Sequence, residues 1–221
     1  MKNIDKTRLT VGQFQKMYIA SAAAIMESEG LLTKIDRVIG DGDHGVGMHR
    51  GFQAVHYNLT HNEYRCVDDL CYNVSIELIR TMGGASGVIF GTMFMGGLSS
   101  LPHESEVSAV PLSDYFMKGE NAIEKRGKGH PGQKTMLDAL YPACSMMKQY
   151  TEAGGMDIEI LFEKGAEGAR DGAEESKNFL SRKGRSKNFR EKTIGLPDPG
   201  AVSTSIIFKA FCDTIHICYE V

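Results

Sequence analysis

Apolar positions along the chain recur with helical spacing almost throughout. Val11, Phe14, Tyr18, Ala22 and Ile25 follow the i, i+3, i+4 rule, as do Ile158, Leu161, Phe162, Ala166 and Ala169. Val202, Ile206, Phe208, Ala210 and Ile215 mark a largely buried last helix. Strand-like alternation bounded by turn residues is missing. The pattern predicts about eight helices, near 9–29, 46–59, 66–82, 86–98, 112–126, 135–149, 157–180 and 200–218. The connections are short and no linker-like composition divides the chain. The expected fold is therefore all-α, one domain over 1–221, in which consecutive helices pack antiparallel as an up-and-down barrel or bundle.

That topology puts alternate connections at opposite ends. IDRVIGDGDHG, MGGASG, RGKGHPGQKT and RKGRSKNFREKTIGLPDPG fall in the first, third, fifth and seventh connections, so all four gather at one end. LTHNEYR, SSLPHESEVSAVP and YTEAGG fall at the other end and read as plain polar loops. A site at the glycine-rich, charged end is implied by connectivity alone.

Composition narrows the class. The chain has 221 residues, 42% apolar and 24% charged, with a net charge of -3, which excludes disorder and gives no basic field for nucleic acid or an anionic membrane. The N-terminal MKNIDKTRLTVGQF lacks the apolar run of a secretory signal, and no stretch approaches the roughly 18 apolar residues of a membrane span. Five cysteines without a CxxC pair fit reduced thiols in the cytoplasm better than zinc or redox chemistry. What stands out is 25 Gly beside 12 Met and no Trp.

The motifs carry the chemistry. Asp36, Asp41 and Asp43 in one short glycine-containing loop suit a hard cation with oxygen ligands. The bland alternative is that Asp43 caps a helix while the other two face water. DGDHGVGMHRGF is no EF-hand, because Gly45 stands at its third acidic position and no Glu closes it. Gly83, Gly84, Ala85, Ser86 and Gly87 form a helix entrance, with Ser86 expected near the N-cap, where free amides and a partial positive charge suit phosphate; a tight turn between close-packed helices is the alternative. Gly127 to Thr135 nearly matches a P-loop, but Gln133 separates glycine from lysine and no strand precedes it. Thr135 and Asp138 read instead as a capping box that turns Met136 back toward the loop. Asp198-Pro199-Gly200 reads as an N-cap with proline at the first helical position. Arg182, Lys183, Arg185, Lys187, Arg190 and Lys192 give the long connection before it the character of a basic lid, or equally of a solvated loop.

Taken in order and spacing, IDRVIGDGDHGVGMHRGF, GGASGVIFGT, RGKGHPGQKTMLDALYPA and KGRSKNFREKTIGLPDPGA resemble the L subunit, the ADP-binding subunit, of dihydroxyacetone kinases. The resemblance implies a helical barrel holding ADP or ATP and two Mg²⁺ at one end. By motif, Asp36, Asp41 and Asp43 would be the metal ligands. Nucleotide contacts would come from His44, Gly45, Val46, Gly47, Ala85, Ser86, Gly127, Met136, Arg185, Asp198, Pro199 and Gly200. It also implies a division of labour, in which a ketose is held by a separate K subunit and this chain presents the phosphoryl donor. In some members a phosphohistidine protein of the sugar phosphotransferase system recharges the bound ADP; in others ATP exchanges in. The resemblance names no catalytic nucleophile on this chain and leaves a homodimer open.

The chain departs from the family in its lid. Gly184 to Thr193 reads GRSKNFREKT where members read close to GRASYLGERS, Gly47 stands for an asparagine, and Leu196-Pro197 replaces a polar pair. These changes spare the three aspartates and bear on the lid, the partner surface and the sugar, which could be a tetrulose. The rival readings are a regulatory subunit that binds nucleotide without transferring phosphate, and a divergent homologue with an empty site.

Overall fold

In a computed structural model, residues 5–220 are described. Among the described residues nine α-helices carry the fold: α1 (Val11–Glu27), α2 (Glu29–Ile39), α3 (His44–His61), α4 (Val67–Thr81), α5 (Gly84–Met95), α6 (Ala109–Gly127), α7 (Leu137–Glu152), α8 (Ile158–Glu175) and α9 (Pro199–Glu220). Eight of them form a closed ring. Each of α3 to α8 packs on the next, α1 packs on α3, and α9 returns to α1. This is the expected up-and-down barrel. The ninth helix, α2, lies outside the ring against α3 and α9.

The apolar faces read from the sequence point into the ring. Phe14, Tyr18, Phe94, Phe116, Phe162, Phe208 and Phe211 are all buried. Phe14 stacks on Tyr18, while other pairs such as Tyr18–Phe94 and Phe162–Phe211 meet edge-on, a favoured arrangement for aromatic rings. The barrel is thus filled by side chains. The hydroxyls of Tyr18 and Tyr115 satisfy each other at 3.1 Å inside it.

Three expectations change. The first predicted helix, 9–29, ends sooner, because the chain breaks at Ser28 and restarts as α2 within the supposed connection. Residues 8–10 and 106–108 form short antiparallel strands β1 and β2, pairing Leu9 with Val107; three residues are too few to show alternation. Finally, α9 contains an 18-residue window of mean hydropathy 1.3, so by length and composition it is apolar enough to cross a membrane. Here it serves as a barrel stave, with Ile207, Phe208, Phe211 and Ile215 fully buried. No cysteine among the described residues is paired.

The β1–β2 ribbon marks one end of the barrel, and the four unusual connections gather at the other.

Candidate functional site

At that end lies a cavity of about 530 Å³. Its first wall is the loop between α2 and α3. Asp36 sits in the last turn of α2, buried, and its Oδ2 accepts the backbone N–H of His44 at 3.1 Å. Asp41 and Asp43 follow in the loop. One carboxylate oxygen from each of the three lies within 4.8 Å of the others. Burial, and then the neighbouring Asp41 charge, push the Asp43 carboxyl above its ordinary range. Arg185, reaching over from the lid, is the cation beside them, paired with Asp41 and standing 3.9 Å from Asp43. Clustered hard oxygens, mutually repelling and met by a single exposed guanidinium, are a donor set that fits Mg²⁺.

His44 opens α3. Its Nε2 lies 2.7 Å from Ser203 Oγ, and that hydroxyl gives its own proton to Pro199 O at 2.9 Å. The imidazole must therefore donate from Nε2, and burial holds its pKa below the usual histidine range. This bond ties the metal loop to the start of α9.

The second wall is the turn into α5. Gly83 (φ 73°) and Gly84 (φ 60°) occupy the left-handed region that glycine adopts without cost. The helix begins at Gly84, so the amides of Gly84, Ala85 and Ser86 form its first turn and have no partner within it. Ser86 is therefore not the cap: it stands inside the first turn, and Gly83 holds the cap position without a side-chain bond. Arg50 steadies this turn from α3, donating Nε to Thr81 O at 2.7 Å and a terminal nitrogen to Met82 O.

The third wall joins the loop after α6 to the lid. Asp138 accepts the amides of Gly132 and Thr135, and Thr135 Oγ1 accepts Leu137 N–H at 3.2 Å. Only the Asp138 half of the expected capping box is therefore made, because α7 begins one residue later, with Met136 at the cap position and no side-chain bond to it. Asp198 caps α9 as read from sequence, its Oδ2 accepting Ala201 N–H at 2.8 Å with Pro199 next to it. Burial raises its carboxyl to about 6.

All the expected site residues line this cavity except two. Gly45 faces away: a Cβ there would come 2.3 Å from Thr33 Oγ1 and 2.4 Å from Glu29 O, so its role is to let α3 pack on α2. Gly127, at the exposed end of α6, does not reach the lining. The structure adds Arg50, Ile89, Phe90, Lys134 and Lys183. All three basic residues lie within the sequence motifs, Arg50 near the end of IDRVIGDGDHGVGMHRGF, but the motif gives Arg50 no role.

A second cluster, Cys66, Asp68, Asp69 and His103, occurs at the opposite end. There His103 is already paired with Asp68, and the donors sit on the N-terminus of α4, whose dipole disfavours a cation.

Comparison with known proteins shows the family and the fold. The DAK2 domain model matches residues 38–213. An ADP-binding subunit of a PEP-dependent dihydroxyacetone kinase from Listeria innocua is 33% identical over 190 residues, 86% of this chain and 89% of that protein. The corresponding subunit from Escherichia coli is 34% identical over 182 residues, 82% of this chain and 85% of the relative. The solved dihydroxyacetone kinase of C. freundii in complex with AMP-PNP and Mg²⁺ shares the fold with a TM-score of 0.71 at 19% identity. That alignment covers 96% of this chain but only 36% of the kinase chain, so this chain spans about a third of the solved protein. The chain belongs to the DAK2 domain family, with ADP-binding subunits of dihydroxyacetone kinases among its relatives.

Proposed function

We propose that the chain, acting over 1–221 as one nucleotide-binding domain, is the donor subunit of a heteromeric ketose kinase. It holds ADP or ATP with two Mg²⁺ and presents the phosphoryl group to dihydroxyacetone, or a related short ketose, carried by a separate K subunit in the cytoplasm. The observation that carries this reading is the meeting of three carboxylates with the free first-turn amides of α5 on one cavity. Carboxylates alone would suit a structural cation, and amides alone a stray anion. Both on one cavity suit a metal–polyphosphate.

Asp36, Asp41 and Asp43 would hold the metal ions, which supply charge neutralisation along the phosphates when bound. The amides of Ala85 and Ser86 would take phosphate oxygens. Arg185, freed from Asp41, would turn to the same oxygens, where its fork can make charge-assisted bonds. Asp198 and His44 would fix the wall rather than react, since both are committed to hydrogen bonds within the chain. Val46, Gly47, Met136, Pro199 and Gly200 would shape the nucleotide's bed, with Ile89 and Phe90 adding apolar surface. The part played by this chain is positioning and neutralisation. No cysteine lines the cavity among the described residues, and the Thr135 hydroxyl is engaged by Leu137 N–H.

Two relatives are described as PEP-dependent, which supports a relay through a phosphohistidine protein to an ADP that stays bound.

Reconstitution tests this reading. The chain mixed with ATP and dihydroxyacetone should form no sugar phosphate, and addition of a matching K subunit, with a phosphohistidine donor where ATP does not serve, should give turnover. Robust ketose phosphorylation by the chain alone would contradict it.

A further inference from the structure

Among the described residues Lys134 is the only lysine or arginine that is buried, at 1% exposure. Burying an ammonium is costly unless it is hydrogen-bonded and near opposite charge, so its partners explain why it is there. Its Nζ donates to Ser176 O at 2.7 Å and to Phe179 O at 3.2 Å. Both carbonyls lie where α8 has ended and the lid begins. The carboxylates of Asp198 and Asp138 are close enough to favour its charge, against the burial that pushes its pKa down.

The same small region receives the lid's far end. Gly195 N–H donates to Lys177 O at 2.8 Å, and Asp198 N–H donates to Ser176 Oγ at 3.0 Å. Gln133 O, one residue before the lysine, accepts Arg182 N–H at 3.1 Å. Residues 176–182 therefore hang from the loop after α6, with the Lys134 ammonium at the centre of the joint. Its own backbone is held at φ 59°, a left-handed conformation rare for a residue with a Cβ. Such a conformation persists where the surroundings over-determine it. A few residues along, Lys183, Gly184, Arg185 and Ser186 line the cavity.

We infer that Lys134 is a positioning residue whose buried ammonium pins the root of the lid to the loop after α6, so that Arg185 stays over the cavity and bound nucleotide is retained. The pinning of the lid is independent of any ligand. The effect on nucleotide rests on the function proposed above.

The test uses Lys134→Met, which keeps the length and removes the charge. Trypsin provides the ligand-free readout, because Arg182, Lys183, Arg185, Lys187, Arg190 and Lys192 are all lid cleavage sites. Losing charge-assisted bonds to two carbonyls should speed lid cleavage at least tenfold and raise the dissociation rate of a fluorescent ADP–Mg²⁺ analogue at least tenfold, with its association rate unchanged. A folded variant whose lid cleavage or analogue release stays within twofold of the parent overturns the proposal. Should the variant fail to fold, competitive acetylation of the parent's lysines decides: Lys134 should react at least tenfold more slowly than Lys209, whose side chain is 71% exposed, and equal rates overturn the pinning. If the parent binds no ADP analogue, the nucleotide reading has failed instead, and lid cleavage alone decides on Lys134.

Discussion

Arg185 of the lid forms an ion pair with Asp41 of the α2–α3 loop, so one side chain bridges two walls of the cavity. Its other terminal nitrogen is 3.9 Å from Asp43. The guanidinium thus stands where the carboxylates invite a metal ion, and a bound cation and Arg185 must compete for Asp41. Two opposite effects follow from one substitution. Arg185→Ala should raise the affinity for Mg²⁺ alone by a few-fold, the scale of an exposed ion pair worth about 0.2–1 kcal/mol. It should lower retention of ADP–Mg²⁺, because the lid loses its phosphate contact. Lys187→Ala, in the exposed part of the same lid, should change neither. Equal effects of the two substitutions in a calorimetric titration would show that the lid docks through other residues.

Asp41→Ala should abolish Mg²⁺-dependent nucleotide binding while leaving the helical fold intact. The carboxylate lies in a surface loop and contributes nothing to the barrel core, so the stability change should stay within about 0.5 kcal/mol. Far-UV circular dichroism and urea melts check the fold, and equilibrium binding of ADP checks the function. A variant that binds ADP–Mg²⁺ like the parent removes Asp41 from the ligand set.

Ser86→Ala should cost little stability, within about 0.5 kcal/mol, because Ser86 is inside the first turn of α5 and its hydroxyl caps nothing. Had it been the N-cap, the loss would be about 1 kcal/mol. Nucleotide affinity is expected to fall, since the hydroxyl lines the cavity beside the first-turn amides. Thermal melts and titrations on the same preparation separate the two effects.

Glu120 of α6 gives a pH dependence away from the site. It is 2% exposed, its Oε1 has no hydrogen-bond partner, and burial with the neighbouring Glu124 pushes its carboxyl up to about 7. Between its ordinary 4.5 and that value the folded protein holds a proton that the unfolded chain has released. Stability therefore falls as pH rises through this window, and the cost is fully present above it. Glu120→Gln should remove this part of the pH dependence, gaining about 1–3 kcal/mol on the parent at pH 8 compared with pH 4. Urea melts at the two pH values measure it; identical pH profiles would place the carboxyl in contact with water.

The ring of eight helices and the gathering of motifs at one end were legible in the sequence because both follow from apolar periodicity and connectivity. Asp198-Pro199 was legible because an acidic cap followed by proline is a local signal. What was hidden depends on contacts made at a distance or on weak local signals. At Ser28 no side chain caps α2, and Gly30 just beyond it reads as the end of a helix rather than as the first turn of another, so α2 lies within the expected connection. Gly45 and Gly47 look alike in sequence, yet one faces Thr33 and the other lines the cavity. Ser86 reads as the cap because serine commonly is one, whereas a positive φ at Gly83 starts the helix earlier. Arg50 and Lys134 act on backbone carbonyls more than thirty residues away, and no pattern of residue types records that.

The most direct measurement is a calorimetric titration of ADP into the purified, nucleotide-free chain, once with Mg²⁺ and once with a chelator. Binding to one site in the presence of Mg²⁺, lost when the metal is removed, is the expected result. Absence of binding, or binding of equal strength with and without Mg²⁺, would contradict the assignment of Asp36, Asp41, Asp43 and the α5 turn to a metal–nucleotide site.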